Sequence, residues 1–74
     1  MKLMPFLPEQ GQVYTLPYGG KFKCLEVTEP YKRNARMMNI LSGWTIDCHG
    51  IRIHEDGKFK GCIEWDYSTG GHFA

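Results

Sequence analysis

Cys24, Cys48 and Cys62, together with His49, His54 and His72, are the side chains of this 74-residue sequence that could carry nucleophilic or metal chemistry. A thiol nucleophile needs a base within hydrogen-bond reach. Cys48 and His49 are neighbours, and on a strand neighbouring side chains point to opposite faces, so they do not serve each other. Cys62 could meet His49 or His54 across a sheet, but no surrounding motif supports a thiol mechanism. A metal site needs three or four converging ligands, and neither C-x-x-C nor another metal-ligand spacing occurs. The cysteines read more simply as small hydrophobes. His54 and His72 read as solvent-facing polar positions. We therefore expect no catalytic residues, no cofactor and no metal.

Two paired-glycine stretches, "PYGGK" and "YSTGGHF", raise the question of a phosphate cradle, because backbone amides in such turns can hold an anion. A phosphate loop proper also needs its lysine and a following helix, which these stretches do not supply. They read as turns, the second folding Phe73 back on the domain.

Rings are the stronger signal. Trp44 follows the Ser42-Gly43 turn, and tryptophan is enriched at interface hot spots; the competing reading makes it the plug of one end of a small barrel. Tyr18, Tyr31 and Phe73 also fall at turns, loops and the tail. Glu64 and Asp66 should form an acidic, water-facing pair able to steer a basic partner or to mimic phosphates. The expected contact surface is Trp44, Tyr18, Tyr31, Glu64, Asp66, His72 and Phe73.

The positioning elements are β in character. From residue 58 the chain alternates: Phe59, Gly61, Ile63, Trp65 and Tyr67 share one face, Lys58, Lys60, Cys62, Glu64 and Asp66 the other. That period of two suits a strand. Asp56-Gly57 before it has the composition of a two-residue type I′ hairpin turn. "VYTL" and "KFKCLEV" read as strands bounded by Gly and Pro. "ARMMNIL" is too short for an independent helix and reads as a strand. "WTIDCHGIRIH" reads as one strand bent at Gly50. About five strands with tight turns predict an all-β domain over residues 11–74, either a small SH3-like barrel or a strongly curled antiparallel sheet. No helix longer than two turns is expected. Residues 1–10, with two prolines, predict an extended arm whose Leu3, Met4, Phe6 and Leu7 must lie on the domain or on a second copy. A homodimer would cover strand edges.

Composition narrows the function. A chain of 74 residues holds one domain, and 42% hydrophobic with 14% aromatic residues marks a folded one. With three cysteines and no leader or apolar span, the sequence reads as cytosolic with reduced thiols and no membrane partner. Net charge is +1, although residues 21–37 carry five basic against two acidic side chains and residues 45–74 three against five. Lysines among rings in "YGGKFK" and "YKRNAR" could track a single strand while bases stack. So balanced a charge counts against a dedicated nucleic-acid binder.

The stretches "SGWT", "HG", "EDG" and "IEWDYSTGGHF" together resemble a group of short proteins encoded by bacteriophages and prophages of Gram-positive bacteria. The likeness covers roughly residues 11–74 and is most specific at "WDYSTGG"; the arm and "PYKRNAR" lie outside it. It implies a mobile-element origin and no catalytic residues. The resulting expectation is a non-enzymatic binding protein of phage type, acting in the host cytoplasm. It would inhibit a host function such as defence by binding a host protein or sequestering a small signalling ligand. An auxiliary nucleic-acid-binding barrel is the alternative.

Overall fold

The computed structural model describes residues 2–4, 7–55 and 62–73. Nine short strands make one curled sheet: β1 (Lys2–Met4), β2 (Val13–Thr15), β3 (Lys21–Glu29), β4 (Asn34–Asn39), β5 (Trp44–His49), β6 (Arg52–Glu55), β7 (Cys62–Glu64), β8 (Tyr67–Ser68) and β9 (His72–Phe73). Their order across the sheet is β1-β6-β7-β2-β3-β4-β5-β8, with β9 also on β5. Pairing is antiparallel except where β2 meets β7 in parallel, with Thr15 opposite Cys62. Among the described residues the sheet does not close, so the curled-sheet alternative describes it. A single 3-10 turn, Pro30–Lys32, is the helical element among the described residues.

The "ARMMNIL" segment is strand as expected through Asn39, between β3 and β5, while its last two residues, Ile40 and Leu41, belong to the turn that follows. The N-terminal arm is also drawn in. Its Lys2–Met4 pairs with Glu55–Ile53, and Pro8 is fully buried. Gly50 bends the long "WTIDCHGIRIH" stretch in the left-handed region, at φ +69°. The bend sends β5 to β4 and β6 to β7, making two strands from one.

The last stretch departs most from its alternation. The expected turn at Asp56-Gly57 lies outside the described residues, although the flanking β6 and β7 do pair antiparallel, with His54 opposite Cys62. Cys62, expected to face water, is buried, as is its neighbour Ile63. A strand covered on both sides buries consecutive residues, whereas one with a wet face buries alternate ones. The chain then turns at Trp65-Asp66 and moves from β6 to β5, which resets the phase. Tyr67, expected inside, is 60% exposed.

The core gathers Phe22, Cys24, Ala35, Met37, Cys48, Ile51, Ile53 and Ile63, with Tyr14, Leu16, Val27, Ile46 and Trp65 packed on it. Each large apolar side chain taken out of water contributes about 1.5–3 kcal/mol. With so few of them, every one matters to a domain of this size.

Candidate functional site

Two turns and the tail meet at one end of the sheet. The β2–β3 turn closes there through Leu16 N–H donating to the Gly20 carbonyl, 2.7 Å, and presents Tyr18. The β4–β5 turn closes through Gly43 N–H donating to the Asn39 carbonyl, 2.8 Å. The Asn39 side chain holds that turn open, its Oδ1 accepting from Leu41 N–H at 2.9 Å and Ser42 N–H at 3.3 Å. Ile40 N–H donates to the Lys21 carbonyl, which ties the two turns together.

One cross-strand row explains the rings gathered here. Tyr14 stands opposite Phe22, Phe22 opposite Asn39, and Trp44 opposite Phe73. The buried end of the row joins the core, where Trp65 meets Phe22 edge-on at 5.2 Å. The other end runs into solvent. There Trp44, 39% exposed, packs edge-on against Phe73, 68% exposed, at 4.9 Å and 87°. Leu41 is 91% exposed beside them, with Ile40 partly so.

Gly71 makes this pair possible. A Cβ at residue 71 would collide with the Trp44 indole and the Thr45 carbonyl, so the indole lies across bare backbone. Gly71→Ala should therefore lift β9 off β5. We expect a red-shifted Trp44 emission and faster tail amide exchange, with the far-UV spectrum unchanged.

The expected surface residues are only partly together. Trp44, Phe73 and His72, the last opposite Thr45, share the end just described with the Tyr18 turn. Tyr31 is fully exposed at the opposite end of β4. Six residues of β4 put roughly 20 Å between the two ends. Sequence reading missed Leu41 and Ile40, which it took as the end of a strand; the Asn39-x-x-Ser42-Gly43 turn chemistry was the available signal.

Glu64 and Asp66 are not a free acidic face. Arg52 lies between them, its Nε 3.2 Å from Glu64 Oε1 and its Nη2 2.6 Å from Asp66 Oδ1. His54, expected in solvent, is only 13% exposed at the side chain, with Nε2 3.0 Å from the same Glu64 oxygen. That contact has ion-pair distance without hydrogen-bond alignment. The Cys24 and Cys48 thiols are both pushed up by burial, Cys48 to about 12, with Asp47 and Cys24 adding to it. A nucleophilic cysteine needs the opposite shift. Among the described residues no group of three or more His, Cys, Asp or Glu side chains could hold a metal, and no helix is long and apolar enough to cross a membrane.

Two recesses flank these features. An open polar one of about 460 Å³ lies at the Tyr31 end, between Glu29, Lys32, Asn34, His49, Gly50, Asp66 and Tyr67. Its charged groups are already engaged: Glu29 accepts from Asn34 and pairs with Lys32, which together hold its carboxyl below the usual range. The other, of about 330 Å³, lies beneath the Tyr18 turn and is lined by Leu16, Pro17, Tyr18, Glu64 and Trp65. Comparison with known proteins adds no relative to this geometry: no family model, curated protein or solved structure matches the chain.

Proposed function

We propose that the protein is a non-enzymatic binding module that holds a partner protein through the end formed by Tyr18, Leu41, Trp44 and Phe73. The observation that carries this reading is the Trp44–Phe73 pair, kept at the surface by a glycine that leaves room for the indole. Rigid rings that lose little entropy on docking are the usual anchors of a protein interface. The likeness to phage-encoded proteins supplies the setting, in which the partner is a host protein in the bacterial cytoplasm and binding inhibits it, as in counter-defence. Pairing of Glu64 and Asp66 with Arg52 weakens an acidic-mimic role and shifts the weight to the rings.

Affinity capture from host lysate with the wild-type chain and with the Tyr18→Ala, Trp44→Ala, Phe73→Ala triple variant tests this. A captured protein, once purified, should bind the wild type and lose at least about 30-fold affinity to the triple variant, the equivalent of about 2 kcal/mol. The variant's far-UV spectrum should be unchanged. Unfolding of the variant would make the rings core and end the assignment. Binding that collapses steeply between low and moderate salt would instead favour nucleic acid, through counterion release. A small molecule found in the wild-type protein and absent from the variant would favour ligand sequestration.

A further inference from the structure

The recess beneath the Tyr18 turn combines three features that suit a cationic occupant. Trp65 gives it an aromatic wall fixed in place by the edge-on contact with Phe22, at 81°. Tyr18, 97% exposed, gives it a second ring on the rim. Glu64 gives it a carboxylate. Glu64 Oε1 also lies 3.2 Å from Arg52 Nε and 3.0 Å from His54 Nε2, so the carboxylate is shared between β6 and the recess. Leu16 and Pro17 complete an apolar floor. At about 330 Å³ the space is at the bottom of the range for small-ligand pockets, room for one long side chain.

We propose that this recess takes an arginine side chain of the bound partner, with the guanidinium stacked on Trp65 and Tyr18 and one N–H donated to the Glu64 carboxylate. The apolar floor suits the arginine stem, and a planar, weakly hydrated cation is the group such rings favour. The Tyr18 turn and the β4–β5 turn are joined by the Ile40–Lys21 hydrogen bond, so the recess lies at the same end of the sheet as Trp44 and Phe73. A partner anchored on those rings can reach it. The inference rests on the binding-module reading for the source of the arginine, but the recess itself can be tested without any partner.

The probe is ethylguanidinium, with ethylurea as its neutral isostere, titrated into the intact chain while the two indole N–H resonances are followed. Trp44→Phe and Trp65→Phe variants assign them. Ethylguanidinium should shift the Trp65 resonance saturably and leave Trp44 unmoved, and ethylurea should move neither. Glu64→Gln and, separately, Tyr18→Ala should each weaken the apparent affinity at least fivefold. Tyr18 is so exposed that its removal leaves the fold intact even if Glu64→Gln disturbs Arg52. Equal shifts from the urea, no saturable shift up to 100 mM guanidinium, or unchanged affinity in Tyr18→Ala would each overturn the proposal. Failure of the Trp44 variants in lysate capture would not affect these titrations, so the two ideas fail separately.

Discussion

Met37→Ala leaves most of the protein unfolded at 37 °C. Met37 is fully buried on β4, an interior strand of the sheet, opposite Cys24 on β3 and Ile46 on β5. Truncating a buried methionine to alanine costs about 2–5 kcal/mol, the transfer term plus the cavity left behind. A domain this small has little more than that in hand, because it hides a smaller share of its unfolded surface than a larger one does. Urea titration at 25 °C should show the midpoint falling by more than half with the slope retained. The neighbouring Met38→Ala, on the other face and only half-buried, serves as the control and should cost far less. Equal losses at the two positions would mean that β4 is not in the register described.

Met37 and Met38 also show what the sequence made legible. Two adjacent methionines on a strand must divide between the faces, and they do, 37 inside and 38 on the outer face. Phe22 and Cys24 follow the same rule, alternating with exposed Lys21 and Lys23. Alternation reads well wherever one face is wet. It fails where that premise fails. Cys62 and Ile63 are consecutive and both buried, so neither face of β7 is wet there. No local pattern announces that a strand is covered on both sides. Of the nine strands among the described residues, against about five expected, two come from the bend at Gly50 and the break at Trp65-Asp66, where the chain changes partner strand, and two are the arm strand β1 and the tail strand β9. Changing partner is a tertiary event that turn composition marks only in retrospect.

Charge was legible by residue and not by pairing. Glu64 and Asp66 alternate correctly with Ile63 and Trp65, so their orientation toward the outside followed from the pattern. Arg52 sits twelve residues from Glu64 in sequence, and only the β6–β7 register, Arg52 opposite Glu64, brings it to both carboxylates. The same is true of His54. Conversely, the turn position of Trp44 was visible, whereas its edge-on contact with Phe73 depends on β9 returning to β5. The rings could be nominated from sequence; their grouping could not.

The thiols give the most distinctive dependence on conditions. Cys48 is fully buried, and burial, then the Asp47 carboxylate, then Cys24, raise its pKa from 9.0 to about 12. Cys24 moves in the same direction, again through burial. Between those two values the unfolded chain has released the Cys48 proton while the folded chain keeps it. The unfolded state then binds fewer protons, so stability falls as pH rises. The contribution of the neutral thiol is fully present below pH 9 and is lost progressively toward pH 12. At pH 10 the loss from Cys48 alone is on the order of 1 kcal/mol, one pH unit beyond the unfolded value. Urea midpoints at pH 8, 9 and 10, in reductant, measure it. Lysines and tyrosines titrate in the same range, so the comparison is with Cys48→Ala. That variant should be less stable at pH 8 yet lose on the order of 1 kcal/mol less than the wild type on going to pH 10. Parallel losses in the two proteins would show that the Cys48 thiol ionises as readily folded as unfolded. A buried thiol held neutral in this way is also a poor nucleophile, and its labelling by a disulfide reagent at pH 8 should proceed only as fast as the chain opens.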